Sequence, residues 1–129
     1  MHAFILQDWI TIRGQSTVTT VTQGEDGWLD LTAYQDAIFW IDCREQSGST
    51  APTIQFQTSP TKDESLFVNM MSTATTLVAQ TAPSFVKATL AGATNVPLAR
   101  FVRWQLNGPS GSLWDATFRV LVSANSPGM

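Results

Sequence analysis

Residues 98–122 constrain the fold more than any other part of the sequence. They read LARFVRWQLN, then the turn-forming residues GPSGS, then LWDATFRVLV. In both flanking runs aromatic and β-branched residues alternate with polar ones, which is the pattern of half-buried β-strands. Because five turn-forming residues separate the two runs, the sequence predicts an antiparallel β-hairpin here.

The alternation divides this predicted hairpin into two faces, since successive side chains of a strand point to opposite sides. The residues expected to face the core are Val102, Trp104, Leu106, Ala116, Phe118, Val120 and Val122. Those expected to face outward are Phe101, Arg103, Gln105, Thr117 and Arg119. Two interpretations of the outward arginines are open. They are solvated residues with cross-strand contacts, or they are docking residues for an acidic partner.

Similar strand patterns recur along the rest of the chain. Strands are expected at residues 4–13, 16–22, 37–45, 53–59, 66–71, 75–79 and 84–90, with a short one at 28–31. No segment has the three-to-four-residue apolar period that a helix of ten or more residues requires. Regular spacing of about eight to ten strands predicts an all-β protein, either a sandwich or a barrel. An antiparallel two-sheet jelly-roll-like β-sandwich is the favoured architecture.

Two further segments define inward and outward faces. In residues 37–45 the apolar face that should point to the core consists of Ala37, Phe39, Ile41 and Cys43, and Trp40 lies on the other face. In residues 53–59, the side chains expected to face inward are Ile54 and Phe56, and those expected outward are Gln55 and Gln57. Trp40 either packs in a core, as most of the tryptophans are expected to do, or is exposed on the sheet face, which is typical of a carbohydrate platform or a protein interface.

Length and charge restrict the possible partners. The 129 residues predict one domain over 1–129, with a short flexible tail at 124–129. Charged residues make up only 13% of the chain, the net charge is −3, and no basic run is present. Binding to nucleic acid or to an anionic membrane surface needs clustered cations, so neither is expected. Low charge also weakens repulsion between copies, so we expect a homo-oligomer.

The residues that usually carry catalysis or bind metals are scarce. The single histidine, His2, lies at a terminus that we expect to be mobile. The single cysteine, Cys43, is predicted to be a buried core residue. A Ser-His-Asp triad and thiolate or histidine zinc sites would depend on these two residues. We therefore expect neither an enzyme nor a cofactor.

The carboxylates permit two weaker alternatives. The pairs Glu25–Asp26 and Asp63–Glu64 lie in predicted turns, where solvated acids are expected and a calcium site is the alternative. A glycosidase would need two carboxylates across a cleft. The residues available for that are Asp30, Asp42 and Asp115, and nothing in the sequence pairs them.

Residues 28–122 resemble a known class of viral protein. The segments WLDLTAYQD, IFWIDCRE, TIQFQTSPTKDESLF, ARFVRWQL and ATFRVLV occur in this order. They are similar to small β-sandwich decoration, or cement, proteins of tailed-phage capsids. The resemblance implies a module made in the host cytoplasm that binds the major capsid protein on the virion's capsid surface as an oligomer. It implies no catalytic residues.

Two functional hypotheses follow. The first is a non-enzymatic virion structural protein, a capsid decoration subunit that stabilises the shell through oligomeric contacts. The second is a carbohydrate-binding β-sandwich module, on a virion or in a bacterial protein, with a glycan as partner. The candidate interface residues are Trp40, Phe101, Arg103 and Arg119.

Overall fold

The structure is a computed structural model that describes residues 2–15, 17, 19–48, 50–79, 84–88 and 96–126. Within these residues, ten strands form two antiparallel sheets that pack face to face. The predicted all-β, antiparallel two-sheet sandwich is therefore confirmed. In the described part of the chain, no helix is both long and apolar enough to cross a membrane.

The first sheet has four strands in the order β1-β10-β4-β8. These are β1 (His2–Gly14), β10 (Trp114–Asn125), β4 (Asp36–Ser47) and β8 (Ser84–Ala88). In β10 buried residues alternate with partly buried ones over the whole strand, because β10 lies between β1 and β4 with one face on the core. This sheet carries the surface described below.

The second sheet has six strands, and β9 and β5 form its centre. Its path is β2 (Thr20–Thr22), β9 (Phe101–Asn107), β5 (Thr53–Ser59) and β6 (Val68–Asn69). Two short strands extend it: β3 (Leu29–Asp30) pairs with β9, and β7 (Thr75–Thr76) pairs with β5. The 3₁₀ turn Glu25–Gly27 lies between β2 and β3, and the 3₁₀ turn Glu64–Leu66 immediately precedes β6.

The predicted hairpin at 98–122 is wrong. Strand β9 pairs with β2, β3 and β5 in one sheet, and β10 pairs with β1 and β4 in the other, so residues 108–113 cross between the sheets. Alternation specifies which side chains face the core, but it does not specify the neighbouring strand. Six residues are long enough to span the roughly 10 Å between packed sheets.

The core consists of the inner faces of the two sheets, as the alternation predicts. All seven residues expected to face inward from 98–122 are buried, as are Ala37, Phe39, Ile41, Cys43, Ile54 and Phe56. The rings of Phe39 and Phe56 stack across the core, with centroids 4.0 Å apart and planes 5° apart. The inward assignment is therefore confirmed although the strand pairing differs.

Gln55 and Gln57 require a second correction, because both are buried rather than solvent-exposed. They lie on the outer face of the six-stranded sheet, but neighbouring segments cover that face. Their amides are satisfied there: Gln55 Nε2 donates to the Met71 carbonyl at 3.1 Å, and Gln57 Nε2 donates to Asn69 Oδ1 at 2.9 Å. Bonds of this kind remove the cost of burying a polar group.

The chain ends also differ from expectation. Strand β10 continues to Asn125, whose side chain donates to Asp36 at 2.9 Å, so residues 124 and 125 belong to the sheet and not to a flexible tail. Residues 127–129 of that predicted tail lie outside the described residues. His2, expected in a mobile terminus, lies in β1 with its ring 5.3 Å from that of Tyr34.

Several predicted strand boundaries change as well. The strand expected at 66–71 is reduced to Val68–Asn69, since a 3₁₀ turn occupies Glu64–Leu66. The strand expected at 75–79 is reduced to Thr75–Thr76, while Thr53–Ser59 is confirmed at both ends. Parts of the strands predicted at 16–22 and 84–90 lie outside the described residues.

Candidate functional site

A row of large apolar side chains crosses the outer face of the four-stranded sheet. Strand register places Ile5 opposite Leu121 and Leu121 opposite Trp40, and Phe85 of β8 occupies the next register position. Ile5 is 60% exposed and Trp40 is 39% exposed. This surface is called the apolar row below. Its described side chains come from β1, β10 and β4.

An open groove of about 710 Å³ runs along the apolar row. The residues that line it are Ala3, Phe4, Ile5, Trp40, Leu121, Val122 and Ser123. The lining is almost entirely apolar, and its one polar side chain, Ser123, accepts a hydrogen bond from Trp40 Nε1 at 3.0 Å. That bond fixes the indole beside β10 and satisfies its N–H, so the exposed part of the ring offers apolar surface.

A charged network borders the apolar row. Asp42 is buried, although it lies on the outward side of β4, directly opposite Arg119 of β10. Its carboxylate contacts Arg44 Nε at 2.6 Å and accepts from Arg119 Nε at 3.2 Å. The guanidinium of Arg119 also lies over the Trp9 ring, 5.0 Å from its centroid. Two paired arginines satisfy the requirement that a buried charge be compensated.

This network leaves positive charge at the surface. The Asp42 side chain is 2% exposed, whereas those of Arg44 and Arg119 are 41% and 36% exposed. A partner approaching the face therefore meets two guanidinium groups, and the carboxylate that pairs with them lies beneath. The four-stranded sheet presents an apolar surface bordered by charges of both signs, since the exposed Glu45 lies opposite Thr117 on the same face.

The structure brings together two of the four predicted interface residues. Trp40 and Arg119 share the outer face of the four-stranded sheet, where Trp40 is opposite Leu121 and Arg119 is opposite Asp42. Phe101 and Arg103 belong to the other sheet and are 8% and 5% exposed. The expectation that these two residues face solvent is wrong. Their interface role stays a prediction, and within this chain they are already covered.

Arg103 is buried because two distant aromatic residues fold over it. Its guanidinium carbon lies 4.1 Å from the centroid of Phe67 and 5.3 Å from that of Trp28, and its Nε donates to Gln57 Oε1 at 2.8 Å. Desolvation lowers the pKa of Arg103, and the nearby charge of Glu64 opposes that effect. The arrangement holds the covering segments on the six-stranded sheet through cation–π contacts.

Two of the carboxylates considered for calcium or glycoside chemistry, Asp30 and Asp63, accept hydrogen bonds from the protein. Asp30 accepts from Arg100 at 3.1 Å and from Thr32, and the Arg100 hydrogen bond is the main cause of an Asp30 pKa of about 2. Asp63 Oδ1 accepts from the backbone N–H of Ser65 at 3.0 Å, which caps the second 3₁₀ turn. Among the described residues, no three His, Cys, Asp or Glu side chains are grouped so as to hold a metal ion.

Cys43 is buried, as predicted. Burial raises the pKa of its thiol, and the backbone hydrogen bond to Glu45 opposes this shift only in part. The protonated thiol is less nucleophilic than the thiolate, so Cys43 behaves as a small apolar core side chain.

Sequence reasoning missed Ile5, Leu121 and Trp9 as surface residues. A signal for the first two exists: the runs FIL and VLV contain apolar residues at consecutive positions, so an apolar residue must point away from the core. A signal exists for Trp9 as well, because it alternates with the apolar Ile10 and therefore shares the outward face of Thr11.

This sequence matches no protein family and no curated protein. Among solved structures it is similar to a chain of the "Structure of infectious bursal disease virus Gx strain", with 10% sequence identity and a TM-score of 0.47. That match covers 98% of this chain and 32% of the viral chain, so this chain spans about a third of the other's length.

Proposed function

We propose that this protein is a non-enzymatic structural subunit of a virion that acts through the outer face of its four-stranded sheet. The observation that carries the proposal is the apolar row, with Ile5 and Trp40 exposed beside Leu121. Contiguous exposed apolar surface on a folded domain marks an interaction site. Trp and Arg are enriched in protein interfaces and Lys is depleted, and this face combines Trp40 with Arg44 and Arg119.

The more specific proposal is a decoration, or cement, subunit that binds the major capsid protein on the capsid surface. It is supported by the resemblance of residues 28–122 to phage decoration proteins and by the low charge of the chain. Each contact of such a subunit can be modest, because symmetry repeats the contact many times on one shell.

Purified particles of the virus that encodes this chain provide the test. We expect the protein in washed particles at a fixed ratio to the major capsid protein, and cryo-EM density for a β-sandwich on the outer shell. Particles lacking the protein should release their genome at a lower temperature, and added protein should restore the wild-type value. Absence of the chain from purified particles would refute the proposal.

A carbohydrate-binding module is the second candidate, and exposed Trp40 on a sheet face favours it. A sugar site also needs polar groups placed around the aromatic platform. In the described part of the chain, the groove offers Ser123 alone, and its hydroxyl already accepts from Trp40. A glycan array tests this candidate directly. Binding that the substitution Trp40→Ala abolishes would support it over the protein interface.

A further inference from the structure

We infer that the free edge of β1 binds β1 of a second copy of this chain, in an antiparallel pairing that places Thr11 opposite the copy's Thr11. An unpaired strand edge is a template for backbone hydrogen bonds to another strand. This edge is a different surface from the apolar row, so the inference goes beyond the proposed function and does not depend on it.

Strand β1 is the longest edge strand in the described part of the chain. It has 13 residues, lies at one end of the four-stranded sheet and pairs there with β10. The strands at the other sheet ends, β8, β2 and β6, have five, three and two residues. A short edge offers few unpaired N–H and C=O groups to another strand, whereas an edge of the length of β1 offers many.

The first part of this edge is irregular, and side chains bond to its backbone. The register with β10 shifts twice before Ile10. Over that stretch the Leu6 carbonyl accepts from Gln23 Nε2 at 2.7 Å, and the backbone N–H of Trp9 donates to Asp8 Oδ1 at 2.8 Å. Bulges and covering groups are devices that keep an edge from pairing.

Residues 10–14 lack these devices and are called the open edge below. Their register with β10 is regular, from Ile10 opposite Phe118 to Gly14 opposite Trp114. On the side away from β10, no strand or side chain in the described part of the chain bonds to their backbone. The open edge is therefore where a further strand can join the sheet.

The sequence of this part of β1 makes an identical strand a suitable partner. Residues 9–13 read WITIR, which is nearly symmetric about Thr11. With Thr11 opposite the copy's Thr11, antiparallel pairing places Ile10 opposite the copy's Ile12. It also places Trp9 opposite the copy's Arg13, and two-fold symmetry makes each of these contacts twice. Pairs of β-branched residues and cation–π pairs both stabilise neighbouring strands.

The same pairing keeps the two faces of the sheet aligned. Ile10 and Ile12 are partly buried and pack against the core. Trp9, Thr11 and Arg13 are exposed on the outer face. Residues that lie opposite each other in paired strands point to the same face, so the isoleucines of the two copies meet on the core side and the exposed residues meet on the outer side.

Other registers fit less well. A shift by one residue would set core-facing side chains against exposed ones. A shift by two would set Ile12 opposite Asp8, or Ile10 opposite Gly14. The pairing centred on Thr11 alone sets apolar side chains against apolar ones along the whole core side.

The charges beside the open edge are compatible with this pairing. Arg13 lies opposite Asp115 of β10, and Arg119, which lies over the Trp9 ring, pairs with Asp42. The copy's Arg13 would approach Trp9 from the side away from Arg119, because β10 and the copy's β1 flank β1 on opposite sides. Each guanidinium group therefore has a carboxylate of its own chain on the neighbouring strand.

Thr11 provides the test, because the proposed pairing puts this residue opposite itself. Thr11→Lys and Thr11→Glu each set two like charges face to face in a dimer, whereas an equimolar mixture of the two variants sets opposite charges there. The matched controls are Thr76→Lys and Thr76→Glu, since Thr76 is also an exposed strand threonine but lies in β7 of the other sheet. Circular dichroism establishes that all four variants fold.

Sedimentation equilibrium then measures association. The wild-type chain and both Thr76 variants should form dimers as their concentration rises. Each Thr11 variant alone should dimerise at least about tenfold more weakly, because its like charges meet at the symmetry axis. The mixture of the two Thr11 variants should dimerise about as strongly as the wild type. A wild-type chain that stays monomeric at every concentration, or a mixture no stronger than its components, would overturn the inference.

Hydrogen exchange of the wild-type chain locates the contact without any variant. Raising the protein concentration should slow the exchange of backbone amides in residues 10–14, because pairing gives them hydrogen-bond partners. A dimer that leaves these amides unprotected would use another surface and would overturn the inference.

Purified particles separate this inference from the proposed function. If the chain is monomeric in solution and its open edge is protected only on particles, a strand of another virion protein occupies the edge. That result would overturn the inference and leave the proposed virion function standing. A chain that dimerises through residues 10–14 but is absent from particles would support the inference and refute the function.

Discussion

The indole of Trp104 lies edge-on against the ring of Phe118, with centroids 5.4 Å apart and planes at 86°. Trp104 belongs to β9 and Phe118 to β10, which are successive strands in the chain but lie in opposite sheets. The indole N–H also donates to Gln7 Oε1 of β1 at 3.1 Å. The contact therefore joins the two sheets through the middle of the core.

Removing either ring should destabilise the protein strongly. We expect Trp104→Ala or Phe118→Ala to lower the free energy of unfolding by about 3–5 kcal/mol, since each leaves a cavity in a closely packed interior. Trp9→Ala, at an exposed indole, is the control and should cost much less. Urea denaturation followed by circular dichroism measures all three. Equal losses for Trp104 and Trp9 would contradict the assignment of the core.

The same pair of residues illustrates what alternation can predict. Trp104 and Phe118 alternate with polar neighbours, so the sequence correctly predicts that both point inward. It does not specify whether their strands pair side by side or face each other, because the inward side chains are the same in both arrangements. The crossing of residues 108–113 between sheets depends on partners far away in the chain, such as β1 and β5.

The candidate site was predictable to a similar extent. Exposure of Trp40 follows from its position between Phe39 and Ile41, which are both buried. Burial of Arg103 does not follow from its neighbours, because its cover comes from Trp28 and Phe67, more than 30 residues away in sequence. Local patterns assign a residue to a side of its sheet, and only the tertiary structure decides whether that side is covered.

Two glycines make room for the indole of Trp114, which is buried. A Cβ atom at Gly14 or at Gly108 would overlap this ring, whereas a Cβ atom at Gly24 would have no heavy atom within 4 Å. Gly14→Ala and Gly108→Ala should therefore each lower the free energy of unfolding by about 1–3 kcal/mol, the usual cost of overpacking. Gly24→Ala is the control and should change it little. Thermal unfolding compares the three, and a neutral Gly14→Ala would show that the ring can move aside.

The guanidinium of Arg103 cannot be replaced by another cation. Lysine has no planar group to lie against Phe67 and Trp28, and it cannot reproduce the Nε bond to Gln57 in the same geometry. Arg103→Lys should destabilise the fold by about 1–3 kcal/mol. Arg13→Lys, at an exposed position, is the control. Chemical denaturation with intrinsic fluorescence measures the loss, and equal stabilities would mean that the aromatic contacts contribute nothing.

The thiol of Cys43 should react only when the protein opens. Its burial and raised pKa leave little accessible thiolate in the folded state. We expect a thiol reagent such as an aromatic disulfide to modify the native chain slowly, and to modify it rapidly in denaturant. The same reaction with Phe118→Ala should be faster under native conditions, because a less stable fold opens more often. Rapid modification of the native wild-type chain would contradict the burial of this residue.

The ion pair of Asp30 and Arg100 should make stability depend on pH in the acid range. The folded-state pKa of Asp30, about 2, lies below the value of about 3.9 for an unfolded aspartate. A lowered pKa means that the contribution is complete above the unfolded value and is lost as pH falls through the folded one. The stability difference between wild type and Asp30→Asn should therefore shrink between about pH 4 and about pH 2.

Urea denaturation of both chains at a series of pH values measures this difference. The effect should be small, because the Asp30 side chain is about half exposed and solvent screens the pair. High salt should reduce it further, since exposed ion pairs weaken with ionic strength. A difference that stays constant down to pH 2 would mean that Asp30 titrates as it does in the unfolded chain, and that Arg100 does not hold its carboxylate in the ionised form.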